Sequence, residues 1–164
     1  MQRLRAPSEV YHWRHGTCID LSLLLCACLE YVDVWPAMIL LQDHAFPAYW
    51  RSEAFQTEFS EFRDVDADVV GDDMAVMTST VGRAREDVAF VLPKGDHRRV
   101  LNLVEKGQLV PLESTLLTAN SSFAEAQIAG AKNLRSKRDF HSMIDIVWAR
   151  DSGVTPLPIL WRAE

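Results

Sequence analysis

An α+β domain is the fold class this sequence predicts, with a buried N-terminal helix packed on a small antiparallel sheet. Three observations predict it. A chain of 164 residues that is 48% apolar and 24% charged has the length and composition of one packed globular domain. A continuous apolar helix pattern runs from Thr17 or Cys18 to about Val32. After it come short apolar runs broken by turn residues and prolines, too short for helices and spaced as hairpin strands.

The first element is the helix. Thr17 and Asp20 form the T-x-x-D pattern of a capping box, which puts Cys18 in the first turn. From Ile19 to Leu29 almost no polar face remains, so the helix is expected to be buried on most sides and to form the centre of the domain. Beyond Asp33, PAMILLQ and HAFPAYW read as two strands joined by a tight turn. Pro47 in the second lacks a donor and must lie at an edge, at a bulge or on a side that needs no ladder bond.

Between Arg51 and Gly95 an acidic stretch precedes a short strand candidate, Val88 to Leu92, and the segment from about 51 to 95 is read as an insertion. Phe55, Phe59 and Phe62 recur at helical spacing, as a core face or the insertion's own apolar face would. Asp96 to Lys106 reads as a helix ended by Gly107, followed by a strand candidate from Gln108 to Thr115 in which Pro111 repeats the constraint of Pro47. Ser122 and Glu125 cap a helix to about Leu134. Met143 to Ala149 reads as a last strand, and GVTPLPILW as extended chain because of its two prolines.

Charge narrows the function classes. The net charge of -6 is carried by residues 51–75, where eight acidic side chains face two basic ones, and the remainder is neutral. Such a balance disfavours nucleic acid as a partner, because a phosphate backbone needs a basic face. The longest apolar run, Leu21 to Leu29, is about half a bilayer span and is broken by Ser22, so no membrane association is expected. The start has no apolar stretch of the signal-peptide kind, and the three cysteines, Cys18, Cys26 and Cys28, crowd into one helix. A cytoplasmic protein without disulfides is the expectation.

The chemistry sits in three places. A cysteine in the first turn of a helix meets the positive end of the dipole and unbonded N–H groups, which stabilise a thiolate and make Cys18 a candidate nucleophile. His44 opens a strand. Glu113 closes the apolar run QLVPLE, and if those two strands pair antiparallel its carboxylate can reach the imidazole.

The phrases GTCIDLSLLLCACLE, DHAFPAYW and VPLESTLLT, in this order, resemble the transglutaminase-like domain of the papain-like cysteine-proteinase fold. The likeness is closest to a bacterial transglutaminase-like module carried in larger proteins beside helicase-type domains. RAPSEV, SSFAEA and IDIVWARDSGVTPLP extend it to nearly the whole chain, which is therefore read as a single domain over 1–164 and as a piece of a longer protein with neighbouring domains.

What the resemblance implies is carried over by position. Cys18 stands as nucleophile, His44 as base and Glu113 as the orienting carboxylate, a longer arm than the usual aspartate. The activity implied is acyl transfer on an amide through a Cys thioester, as a peptidase, deamidase or transglutaminase, on a protein or peptide substrate and without a cofactor. The backbone N–H of Cys18 serves the oxyanion, and Gln2 and Trp13 are the candidates for its second donor, because papain-like enzymes use an upstream Gln and transglutaminases a Trp. The alternative is a catalytically inactive module of the same fold acting as a protein-interaction domain.

Metal readings fare worse. His12, His15 and Cys18 are spaced three apart, but Cys26 and Cys28 point about 200° from one another on a helix and cannot chelate together. In the acidic run, an EF-hand counted from Asp64 would place Val69 where glycine belongs and Ala75 where glutamate belongs. No metal is expected.

Overall fold

The computed structural model describes residues 4–68, 89–119 and 121–155, with side chains throughout except at 61–68, 117 and 118. The class is α+β: the described residues form five antiparallel strands in one sheet, ordered β3-β5-β1-β2-β4, with helices against it. Helix α1 (Pro7–Trp13) leads into α2 (Cys18–Tyr31), and a hairpin follows, β1 (Pro36–Leu41) and β2 (Ala45–Trp50). Then come α3 (Glu53–Asp68), β3 (Val91–Pro93), α4 (His97–Glu105), β4 (Leu109–Pro111), α5 (Phe123–Asn133), β5 (Phe140–Asp145) and α6 (Ile146–Asp151).

The core lies on one face of the sheet. Ala37 and Ile39 of β1 alternate onto that face with Phe46, Ala48 and Trp50 of β2, where Phe59 of α3, Val100 of α4 and Leu134 close over them. Phe55 packs at its edge, so the first half of α3 belongs to the core although its sequence is acidic. Trp50 and Phe59 stack at 5.0 Å between ring centres. Fully burying side chains of this size stabilises by roughly 1.5–3 kcal/mol each.

The caps form as the sequence predicts. Asp20 accepts hydrogen bonds from the Thr17 N–H and hydroxyl, both at 2.9 Å. The Ser122 hydroxyl accepts the Glu125 N–H while Glu125 answers to the Ser122 N–H. Gly107, at φ 68°, ends α4 in the left-handed conformation that favours glycine.

Pro111 falls where the ladder spares it, and Pro47 forfeits the one bond it would donate toward Leu112. The Trp50 N–H donates to Trp35 O and the Leu41 N–H to His44 O, so alternation turns Pro47 away from β1. On its other side the Pro47 carbonyl accepts the Leu112 N–H at 2.8 Å. Pro111 stands opposite Ala48 between the bonded pairs, on the outermost strand, with its nitrogen facing out of the sheet.

Several expectations are corrected. Helix α2 is not buried on most sides: only Asp20, Ser22 and Cys26 are buried, its leucines are half-buried, and Ala27, Cys28 and Tyr31 are exposed. It packs on β2 and β1 and against α1, and its exposed face carries Ala27, Cys28 and Tyr31. The expected strand from Met143 to Ala149 ends at Asp145, where α6 begins. There the Asp145 carboxylate accepts the Trp148 N–H at 2.9 Å, and this cap overrides the strand preference of Ile146 and Val147. The strand expected over Gln108–Thr115 is three residues long and gives way to a 3₁₀ turn, Ser114–Thr118. Of the strand expected over 88–92, Val91 and Leu92 enter β3, Ala89 and Phe90 form a turn, and Val88 lies outside the described residues. Gln2, residues 69–75 of the acidic run and the stretch 156–164 lie outside the described residues.

Candidate active site

Cys18 is the first residue of α2, so its backbone N–H precedes the first intrahelical bond and has no helical acceptor. The Ser22 hydroxyl donates to its carbonyl at 2.7 Å and fixes the turn. Asp20 anchors this end of the helix. It is buried and accepts from the Arg5 N–H at 2.9 Å and the Arg5 guanidinium at 3.0 Å, besides Thr17. Burial alone would raise its pKa, but these donors outweigh burial and lower it from 3.8 to about 2.

His44 ends the β1–β2 turn, one residue before β2, with its ring 5.7 Å from that of Phe46. Its Nε2 lies 2.7 Å from Oε2 of Glu113, 69 positions away in the chain. Glu113 follows β4, and since β4 pairs antiparallel with β2 its chain continues toward the start of β2, as the strand pairing requires.

Glu113 is held from every side. Its Oε1 accepts the Thr115 hydroxyl at 2.7 Å and the Thr115 N–H at 3.1 Å, and Asn133 donates to Oε2 at 2.6 Å. Its own N–H donates to Ala126 O at 2.9 Å. Burial pushes its pKa up, yet the Thr115 hydroxyl, His44 and the Thr115 N–H together bring it below the ordinary glutamate value. An ionised Glu113 fixes the proton of His44 on Nε2 and leaves the Nδ1 lone pair free for another partner.

Cys18 and His44 line one cavity of about 420 Å³, together with Leu41, Asp43 and His141. On its other side Cys18 borders a wider groove of about 710 Å³ between α1 and α2, which Thr115 also lines. His44 and Glu113 are thus brought together as a hydrogen-bonded pair, and Cys18 shares a cavity with His44. Trp13 stands at the end of α1, 70% exposed, its ring edge-on to His12. Cys26 is buried, which pushes its thiol up to about 12, while Cys28 is exposed. Among the described residues no three His, Cys, Asp or Glu side chains gather as metal ligands, and no helix is long and apolar enough to cross a membrane.

Sequence reasoning missed Asn133, Thr115, His141 and the Arg5–Asp20 tether. Thr115 carried a signal, because a carboxylate two residues before a threonine can take its N–H and hydroxyl as a local turn. Asn133 carried none. Comparison of the chain with protein-family models, curated proteins and solved structures finds no match.

Proposed function

We propose that this chain is a thiol-dependent acyl-transfer enzyme acting on amide bonds through a Cys18 thioester, with a transglutaminase-like, papain-type arrangement of Cys18, His44 and Glu113. The observation that carries it is the 2.7 Å contact of His44 Nε2 with a buried, multiply bonded Glu113, on the same cavity as a thiol at a helix N-terminus. An imidazole paired with a carboxylate and a thiol that shares its cavity are the groups such chemistry needs.

In this reading Nδ1 of His44 takes the Cys18 proton and the thiolate attacks the acyl carbon. The Cys18 N–H stabilises the oxyanion of the tetrahedral adduct. The imidazolium, held by Glu113, returns its proton to the leaving amine as the C–N bond breaks, which leaves a thioester. Water or a second amine then attacks that thioester, giving a peptidase, deamidase or transglutaminase outcome.

Iodoacetamide labelling followed by peptide mass spectrometry tests it. Cys18 is expected to react faster than Cys28 even though Cys28 is the more exposed, with Cys26 slowest. His44→Ala should slow Cys18 alone, by about 10²-fold. Cys18 reacting no faster than Cys28, and unmoved by His44→Ala, would leave the inactive interaction module as the better reading.

A further inference from the structure

The groove between α1 and α2 borders Cys18, the residue whose sulfur the proposed mechanism uses, and His44 does not line it. Its floor is apolar: Val10 is buried, and Leu21 and Leu24 are half-buried with faces turned into it. Its rim is basic. His12, Arg14 and His15 line it, no Asp or Glu does, and Arg14 belongs to no ion pair among the described residues. Among the described residues that line this groove, the charged or basic side chains are thus His12, Arg14 and His15, in a chain whose net charge is -6.

The wall is also built to stay in place. Buried Asp20 bonds Arg5 at the root of α1 to the cap of α2. A Cβ on Gly16 would sit 3.2 Å from Asp20 Cβ and 3.3 Å from Val10 Cγ1, so any larger residue here would press α1 and α2 apart by a few tenths of an ångström.

Reaction geometry gives the groove its role. His44 must protonate the leaving amine, so that amine belongs in the cavity His44 lines, and the acyl part must extend from the opposite side of the sulfur. We infer that the α1–α2 groove is the acyl-donor subsite and takes an apolar side chain followed by an acidic group, as in an acidic peptide. The inference rests on the thioester reading of Cys18. Leu21 and Leu24 take the apolar side chain, and Arg14 with the two imidazoles takes the carboxylate.

Chloromethyl ketones of acetyl-Glu-Leu, acetyl-Lys-Leu and acetyl-Glu-Gly test it on the full chain, with the rate of Cys18 modification read by mass spectrometry. The Glu-Leu probe should outpace Lys-Leu by about three- to fivefold, the scale of one partly exposed charge pair, and the advantage should shrink in high salt. It should also outpace Glu-Gly. Arg14→Gln, on the exposed rim, should abolish the charge preference, and Leu24→Gln the leucine preference. Equal rates for all three probes, with His44-dependent iodoacetamide labelling intact, would overturn the groove assignment and leave the enzyme reading standing. Loss of His44-dependent labelling would overturn both.

Discussion

Glu113 and Asp145 are both carboxylates taken out of water, at 5% and 0% exposure, yet they move in opposite directions from their ordinary titration ranges. Glu113 is surrounded by an imidazole, an amide, a hydroxyl and a backbone N–H, and its pKa is lowered. Asp145 holds the Trp148 N–H and the Trp50 indole N–H, with Gln56 at 3.5 Å, and burial raises its pKa in spite of them. Two buried acids in one small fold therefore serve different ends. One is an anion kept beside a base, and the other ties a strand end, a helix start and a core tryptophan together. Their pH signs differ too. The stability from Glu113 is full above the ordinary glutamate range and is lost as pH falls through its lowered value. That from Asp145 is full below the ordinary aspartate range and declines as pH rises through its raised one.

The largest expected effect breaks the structural side of this pair. Asp145→Ala strands the Trp50 and Trp148 donors in the interior and should cost about 3 kcal/mol of stability by urea unfolding. Under native conditions the ratio of Cys18 to Cys28 alkylation should not change, because Asp145 touches nothing at the site. A fall in that ratio at full folding would make Asp145 part of the site.

Asp20 sharpens the comparison as a third buried acid, this time with a guanidinium. Its pKa falls from 3.8 to about 2, which amounts to about 2 kcal/mol of stability, full above the ordinary range and lost as pH drops from 3.8 toward 2. Asp20→Asn should remove that amount at neutral pH and flatten acid unfolding over this window. An unchanged acid transition would show that the Arg5 and Thr17 contacts carry no such linkage.

How much of this was legible in the sequence follows from the range of each interaction. The α2 and α5 caps, the β1–β2 hairpin and the glycine stop of α4 are set by residues within four positions of each other, and all were read correctly. The convergence of His44 and Glu113 could be inferred because one strand's start lies beside its neighbour's end. The α6 start was misread, since Val147 and Trp148 favour a strand and the deciding cap depends on Asp145 being buried against Trp50 from 95 positions away. The partial exposure of α2 has a related reason: apolar residues all round a helix show what it could bury, but not which of its faces other elements cover.

Glu113→Gln tests the site's side of the comparison. Glutamine keeps the shape and can accept from Thr115 or Asn133, so stability should change by about 1 kcal/mol or less. Its neutral amide no longer fixes the proton on His44 Nε2, and Cys18 alkylation should slow about tenfold. Stability falling while alkylation is untouched would reduce Glu113 to the role of Asp145.

The smallest effect is expected at Asn133, and it separates support from chemistry. Its amide donates to the same Oε2 that meets His44, so it competes for that oxygen's lone pairs while holding the carboxylate in place. Nearby, a Cβ on Gly130 would come within 2.9 Å of the Pro111 carbonyl carbon, so α5 is seated directly on the strand that leads to Glu113. Asn133→Ala should slow Cys18 alkylation about two- to threefold, with a stability loss of about 1 kcal/mol. Asn133→Asp sets a second carboxylate against Glu113 and should raise the Glu113 pKa toward or above the ordinary range, so alkylation should fall at mildly acidic pH and recover as pH rises. An alanine variant as slow as Glu113→Gln would make the amide, rather than the carboxylate's charge, what holds the imidazole.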